Sequence, residues 1–133
     1  MATKYIKFTG PCKWAKTRKP DEKYNVYSIN VYLDEATKDL YLKSGIQGKI
    51  KSDDDGEFVS FRRPVSKIIK GDLVQLGAPK VYTKDKKEAQ DTMIGNGSLV
   101  ECDVAVYDTI KGKGHTLQGV RILDLVEYAK PQD

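Results

Sequence analysis

Aromatic and basic side chains alternate along two stretches of the sequence. Trp14, the only tryptophan, lies in the segment 12–20 together with four cations. Further along the chain, Tyr82 lies between Lys80 and Lys84, and the two-residue period of a strand places these three side chains on one face. Rings that stack on bases, next to cations that bind phosphates, are what a protein needs to bind a single-stranded nucleic acid. Each stretch can also be interpreted as a solvated basic surface with a structural aromatic residue.

The candidate site combines cations and aromatic residues from several segments. The cations that would follow the phosphates are Lys13, Lys16, Arg18, Arg62, Arg63, Lys80, Lys84, Lys111 and Lys113. The aromatic residues on some of which bases would stack are Trp14, Tyr32, Phe61, Tyr82 and Tyr107. The net charge of +4 permits an anionic partner without requiring one, so only the clustering of the cations points to nucleic acid.

Residues that could perform catalysis do not assemble into a recognised site. His115, the only histidine, lies in a glycine-rich stretch where we expect solvent exposure rather than a role as base or metal ligand. The run Gly112-Lys113-Gly114 lacks the remaining residues of a phosphate-binding P-loop. Glu101 and Asp103 share one strand face and are the pair of acids that a metal-dependent nuclease could use. Because no third ligand or base accompanies them, we expect no enzyme activity, no metal and no cofactor.

The composition predicts a single folded domain. At 133 residues, with 39% hydrophobic and 32% charged residues, the chain can bury a normal core and is not typical of a disordered protein. The sequence contains no apolar run long enough to span a bilayer and no secretory leader, so we expect a cytoplasmic protein without a membrane partner. Cys12 and Cys102 fit no metal-binding spacing and are expected to be reduced thiols, with Cys102 in the core.

Several of the candidate residues lie in segments for which the sequence predicts strands. Residues 4–9 alternate between polar and apolar types and suggest an opening strand. The alternation is clearest in 25–33, where Tyr27 falls on the apolar, core-facing side. Tyr32 falls on the opposite side of this strand, and we therefore expect it to be exposed.

One short helix is predicted between these strands and the next. Asp34 is placed to cap a helix near 35–44, and Gly45 is placed to end it. Ala36 and Leu40 are four residues apart and therefore lie along one side of this helix. We expect the helix to cover one end of a sheet.

Turn residues predict two hairpins. Residues 48–63 contain Asp55-Gly56, which is typical of tight hairpin turns because glycine accepts a positive φ. Phe58 and Phe61 follow on the returning strand on opposite faces, so that one can enter the core while the other faces out. The second hairpin lies in the last quarter of the chain, around the Gly/Lys-rich loop 111–115.

This last quarter resembles a known family. The turn Ile94-Gly95-Asn96-Gly97-Ser98 leads into the predicted hairpin, which closes with the apolar run Leu125-Val126-Glu127-Tyr128. Together these features resemble the single-stranded DNA-binding proteins of T7-like phages. The strand 25–33 followed by Asp34, and Asp55-Gly56 followed by two phenylalanines, occur in the order of that family and extend the resemblance over most of the chain.

The resemblance implies an all-β fold, a five-stranded oligonucleotide-binding (OB) barrel with one short capping α-helix. This single domain would span residues 1–133, with mobile polar loops near 53–56, 84–92 and 110–115. The resemblance also implies a phage protein that binds single-stranded DNA without sequence specificity during DNA replication and recombination, in the cytoplasm of the infected bacterium. The implied partners are single-stranded DNA, phage replication proteins such as the polymerase and the helicase–primase, and a second copy of the chain.

Two alternatives stay open at this point. One is an RNA-binding OB module, and the other is a phage nuclease that uses Glu101 and Asp103. The family usually ends in a strongly acidic tail that recruits partners, whereas this sequence ends in Pro131-Gln132-Asp133. We therefore expect a nucleic-acid groove that such a tail does not cover.

Overall fold

The computed structural model describes residues 3–21, 25–46, 48–90, 92, 94–109 and 112–126. The strands and the helix in these ranges are β1 (Lys4–Asp21), β2 (Val26–Tyr32), α1 (Glu35–Ser44), β3 (Lys51–Asp53), β4 (Gly56–Pro64), β5 (Ser66–Ile69), β6 (Asp72–Gln75), β7 (Lys80–Tyr82), β8 (Leu99–Thr109) and β9 (Gly112–Asp124). A mostly β protein with one short helix is thus confirmed. No helix in the described ranges is long and apolar enough to cross a membrane.

Seven strands form one sheet in the order β3-β4-β2-β1-β8-β9-β7, and β5 pairs with β6 in a separate hairpin. The long strand β1 connects the two halves of the sheet: its first half pairs with β8 and its second half pairs with β2. Gly10 lies where these halves meet. A Cβ at this position would lie only 2.3 Å from the carbonyl oxygen of Tyr32, so glycine is required for the close approach of the two backbones.

The sheet curls until β4 contacts β9, which is where a barrel would close. No backbone ladder joins these two strands in the described part of the chain. Side chains bridge them instead: the backbone N–H of Arg62 donates to Nε2 of His115 at 3.2 Å, and the Arg63 guanidinium donates to the carbonyl oxygen of Leu117 at 3.4 Å. The sheet therefore has more strands than the predicted five, and its closure as a barrel is not detected.

The apolar core lies inside the curled sheet. The fully buried rings of Phe8 and Phe61 stack with their centroids 4.9 Å apart, and Tyr41 of α1 packs edge-on against both. Tyr27 is buried, as the alternation of β2 predicts. Cys12 and Cys102 are free thiols, and both are buried, so apolar surroundings raise the pKa of each thiol.

The helix α1 occupies the segment for which the sequence predicts it. The Asp34 carboxylate accepts a hydrogen bond from the backbone N–H of Thr37 at 2.7 Å, and Gly45 ends the helix with φ +80°. The face that packs on the sheet is different from the one that the apolar spacing indicates, because Ala36 and Leu40 are exposed.

The buried side of α1 carries Thr37 and Tyr41 instead. The Tyr41 ring offers more apolar area than Ala or Leu, and its hydroxyl donates to the carbonyl oxygen of Gly48 at 2.9 Å. The Thr37 hydroxyl donates to the carbonyl oxygen of Thr9 at 3.1 Å. These two satisfied polar groups explain why a helix with little apolar character packs through this side.

The loops differ from the expected ranges in two places. Residues 112–115 belong to β9 rather than to a loop, and the turn between β3 and β4 consists of residues 54 and 55. The described residues between 84 and 92 lie outside the strands. Residues 110, 111 and 127–133, which include the end of the predicted hairpin and the C-terminus, lie outside the described ranges. Loop mobility stays a prediction.

Candidate nucleic-acid interface

One candidate surface lies on the outer side of β1, β2 and β4. Two rows of paired residues cross these strands there: Lys13, Asn30 and Ser60 form one row, and Lys16, Ser28 and Arg62 form the other. Directly paired residues of antiparallel strands point to the same side of a sheet, and Ile29 and Phe61, which lie between the two rows on β2 and β4, are buried on the other side. We call this surface, together with Trp14, the tryptophan face.

The Trp14 side chain projects from this surface and is 63% exposed. A register shift of β1 between Lys13 and Lys16 interrupts the alternation, and Ala15 packs against the core while the indole faces solvent. The backbone of Trp14 is left-handed, with φ +53°, a conformation that is rare and costly for a bulky residue. Its backbone N–H donates to Oδ1 of Asn96 at 2.9 Å, a contact that holds this conformation.

Asn96 belongs to the glycine-rich turn 94–98, which is attached to β1 by its backbone. The N–H of Gly97 donates to the carbonyl oxygen of Cys12 at 2.8 Å, and the N–H of Cys12 donates to the carbonyl oxygen of Ser98 at 2.9 Å. The buried Ser98 hydroxyl in turn accepts from the N–H of Val126 at 2.8 Å. The turn therefore positions the segment that carries the tryptophan, a role of Asn96 that the sequence analysis missed.

Lys13 is engaged within the protein. Its ammonium group forms an ion pair with the Asp55 carboxylate and lies 5.5 Å from the centroid of the Tyr32 ring. The hydrogen bond to Asp55 raises the pKa of Lys13, so the group stays charged. A phosphate that binds Lys13 must therefore compete with Asp55.

This competition predicts the effect of Asp55→Asn. We expect tighter binding of single-stranded DNA at low salt and a log–log salt slope steeper by about 0.7, the contribution of one additional phosphate contact. Titration of an oligonucleotide at several salt concentrations measures both. Asp54→Asn removes the same charge from the same turn without touching the Lys13 ion pair, and equal effects of the two variants would contradict the prediction.

Two of the predicted stacking residues belong to the interior. Tyr32 is only 7% exposed, its hydroxyl donates to the Asp53 carboxylate, and its ring packs on Phe58 with 5.2 Å between centroids. Burial and the bond to Asp53 raise the pKa of Tyr32 to about 12. The expected exposure of Tyr32 is thus wrong, because the hairpin β3–β4 covers the end of β2. Phe61 is fully buried and is the member of the Phe58/Phe61 pair that enters the core, so its ring cannot reach a base.

The Arg63 guanidinium is hydrogen-bonded to backbone carbonyl groups of the protein itself. Its guanidinium donates to the carbonyl oxygens of Leu76 at 2.7 Å and Gly77 at 3.0 Å, in addition to the bond with Leu117. Burial lowers the pKa of this arginine. These contacts hold the base of the β5–β6 hairpin against β9, so a phosphate that binds Arg63 must compete with three backbone carbonyl groups.

Of the remaining candidates, Tyr107 and Lys113 are engaged within the protein, Lys84 is exposed, and two lie wholly or partly outside the described part. The Tyr107 hydroxyl lies 3.0 Å from Oγ1 of Thr116, and the Lys67 ammonium covers its ring at 4.9 Å. Lys113 is paired with Asp108. Lys84 is exposed beyond the end of β7. Lys111 and the side chain of Arg18 lie outside the described part of the structure.

His115 lies in strand β9 and is half-buried, which corrects its expected exposure in a loop. Its ring packs edge-on against Phe61, with 5.9 Å between centroids, and its Nε2 accepts the hydrogen bond from Arg62. An accepting Nε2 must be unprotonated. Burial, with the nearby Arg62 charge, lowers the pKa of His115 below its usual 6.5.

The depressed pKa of His115 predicts a loss of stability in mild acid. Between its folded and unfolded pKa values the unfolded chain binds the proton and the folded chain does not, so the free energy of unfolding falls as the pH drops below about 6.5. Urea denaturation at pH 7.5, 6.5 and 5.5 measures this change. His115→Gln removes the only histidine and should flatten the profile in this window, and an unchanged profile would contradict the assignment.

A second candidate surface lies on the other half of the sheet. The cleft there has a volume of about 520 Å³ and is lined by Lys7, Lys80, Tyr82, Lys86, Glu101, Asp103, Gln118, Gly119, Val120 and Arg121. We call it the tyrosine cleft. In β7, Val81 is buried while Lys80 is exposed, so the predicted faces of this strand are confirmed. The predicted site residues thus lie on two surfaces of the sheet rather than in a single groove.

Glu101 and Asp103, the pair considered for a nuclease, both line the tyrosine cleft. The nearest Glu101 carboxylate oxygen lies 4.0 Å from the Lys7 ammonium. In the ranges that the structure describes, no group of three or more acidic, histidine or cysteine side chains is placed to hold a metal ion. Lys7 and Arg121 also line this cleft, although the sequence analysis did not select them. Each lies in a strand in which polar and apolar residues alternate, and this alternation is the pattern that could have identified them.

Comparison with known proteins gives matches in fold alone. No protein-family model and no curated protein matches this sequence. The crystal structure of gp2.5, a single-stranded DNA-binding protein encoded by bacteriophage T7, matches with a TM-score of 0.70 at 17% identity and covers 98% of this chain and 92% of that chain. The single-stranded DNA-binding protein from bacteriophage Enc34 matches with a TM-score of 0.58 at 16% identity, over 97% of this chain and 86% of that one. A C-terminal truncation of the Enc34 protein matches with a TM-score of 0.59 at 16% identity, over 94% and 88%. Over nearly its full length, this chain therefore has the fold of these phage single-stranded DNA-binding proteins.

Proposed function

We propose that this protein binds single-stranded DNA with little dependence on sequence. The observation that carries the proposal is Trp14, an exposed indole on a backbone that is held in a costly conformation. A purely structural tryptophan would lower the free energy of folding by burying its ring, and this one does not. The fold shared with the T7 and Enc34 proteins, which bind single-stranded DNA, supports the same ligand.

The tryptophan face supplies both kinds of contact that such binding needs. A base that stacks on the Trp14 indole gains about 1–3 kcal/mol, and because every base has an aromatic face this gain depends little on sequence. Lys16 and Arg62 are exposed in the neighbouring row, where they can bind the phosphates on either side of that base. In the row of Lys13, the Ser60 hydroxyl donates to Oδ1 of Asn30 at 2.6 Å, and this pair adds neutral polar groups to the surface.

The curled sheet would serve as the OB barrel in this proposal, with the side chains of His115 and Arg63 bridging β4 and β9 in place of a closing ladder. The resemblance in sequence adds the setting: DNA replication and recombination of a phage in the cytoplasm of its bacterial host. Phage replication proteins and a second copy of the chain are the partners that belong to this setting.

The only tryptophan provides the experiment, since its fluorescence reports on Trp14 alone. We expect an oligo-dT strand to quench this fluorescence and to bind more tightly than a duplex of equal length, with a log–log salt slope of about −0.7 for each phosphate bound. Equal affinity for duplex and single strand, or a slope near zero, would overturn the proposal. Tighter binding of oligo-rU than of oligo-dT would favour the RNA-binding alternative.

A further inference from the structure

The tyrosine cleft is built around a close approach of β7 to β9. Lys80 and Tyr82 pair with Gly119 and Arg121 in parallel register. A Cβ at position 119 would lie 3.0 Å from the carbonyl oxygen of Lys80 and 3.8 Å from the Tyr82 ring. Glycine at this position therefore keeps the floor of the cleft open beside the aromatic ring, and a larger residue would fill it.

Two polar atoms at this cleft have no hydrogen-bond partner in the described part of the chain. They are Oδ1 of Asp103, an acceptor, and Nε of Arg121, a donor, and both are buried. Buried polar atoms are nearly always satisfied, and an unpaired one is costly, so each such atom requires an explanation. Both atoms are covered in the structure without a ligand, so the two side chains must turn towards the cleft to be used. A ligand that then presents N–H donors to the Asp103 carboxylate and an acceptor to the Arg121 guanidinium would satisfy both.

The charges and size of the cleft narrow the chemistry of that ligand. The four cations at its wall are Lys7, Lys80, Lys86 and Arg121, against the two carboxylates of Glu101 and Asp103. The excess of positive charge favours an anion, and the Tyr82 ring offers a planar apolar surface. The volume of about 520 Å³ lies within the range of small-ligand sites. An aromatic ring system that carries a phosphate combines these properties.

We propose that the tyrosine cleft binds one nucleotide and prefers guanine. Among the four DNA bases, only guanine presents two adjacent N–H donors, N1–H and the N2 amino group, next to a carbonyl acceptor, O6. The donors match the two oxygens of the Asp103 carboxylate, and O6 matches the Arg121 guanidinium. The base lies against Tyr82, and the phosphate lies among the lysines.

This inference rests on the proposed function, since the nucleotide would belong to the bound strand. It adds a base preference at one position of a strand that the tryptophan face binds through stacking and charge. The two surfaces lie on different halves of the sheet, so variants at one can be tested without altering the other.

The test uses the free nucleotides dGMP, dAMP, dCMP and dTMP, titrated against the protein by calorimetry or NMR. We expect dGMP to bind about tenfold more tightly than the other three, within the discrimination that a good paired contact provides. Asp103→Asn should abolish this preference. Glu101→Gln, the matched control, removes the same charge from the same cleft and should change the affinity for all four nucleotides alike.

Equal affinities for the four nucleotides, no binding of any of them, or equal effects of the two variants would overturn the inference. If Asp103→Asn fails to fold, the affinities of the unaltered protein for the four nucleotides still test the preference for guanine. Oligo-dT titration in parallel separates the two proposals. Quenching of Trp14 by oligo-dT without selective binding of dGMP removes the guanine site and leaves the function, whereas absence of both removes the function as well.

Discussion

Replacing Trp14 by alanine should weaken the binding of single-stranded DNA by about 5- to 150-fold, because the loss of one stacked base costs about 1–3 kcal/mol. The melting temperature should change little, since the indole is exposed and contributes little to the core. Oligo-dT titration by anisotropy, together with thermal melts of the same preparations, gives both quantities. A variant that loses stability and keeps its affinity would show that the indole is a structural group.

The left-handed backbone of Trp14 provides a sharper control. Trp14→Gly removes the same ring and also relieves the positive φ, so this variant should be more stable than Trp14→Ala by about 1 kcal/mol with the same loss of affinity. Asn96→Ala should weaken binding in the parent protein and have no further effect in the Trp14→Ala background. Additive losses would indicate that Asn96 contacts the DNA directly.

Replacing Phe61 by alanine should lower the free energy of unfolding by about 3–5 kcal/mol, the usual cost of removing a large buried ring. The ring is fully buried and packs against Phe8, Tyr41 and His115, so its loss leaves a cavity among three other rings. Urea denaturation measures the change. The fraction of the protein that remains folded should bind oligo-dT with unchanged affinity.

Phe58→Ala is the control on the same strand. Its ring is half-buried and packs mainly on Tyr32, so it should cost clearly less stability than Phe61→Ala. If Phe61→Ala instead folds with normal stability and loses affinity for DNA, the ring contacts bases and the assignment of β4 to the core is wrong.

Local patterns were sufficient for the elements that hold the site. The alternation in β7 correctly separates buried Val81 from exposed Lys80, because side chains of a strand point to opposite sides whatever lies beyond it. Asp34 and Gly45 mark the ends of α1 because capping depends on backbone groups within a few residues. The same reasoning failed for the packed face of α1, since the hydroxyls of Thr37 and Tyr41 find partners that the helix itself does not contain.

The functional state of each cation depended on partners far away in the chain. Lys13 pairs with Asp55 across 42 residues, and the Arg63 guanidinium donates to Leu117 across 54 residues. In the sequence, each of these cations is indistinguishable from an exposed cation such as Arg62. Only the fold shows which positive charges are already neutralised or engaged.

The sequence by itself determined the β-rich class, the ends of the helix and the presence of an aromatic residue among cations, because these properties follow from neighbours within a few residues. Tertiary structure alone decided that Trp14 is presented to solvent while Phe61 is enclosed. Trp14 is held by Asn96, 82 residues away, and Phe61 is covered by rings from β1 and α1. The physical reason is that exposure and charge pairing are set by which distant segments meet, and the curling of the sheet brings these segments together.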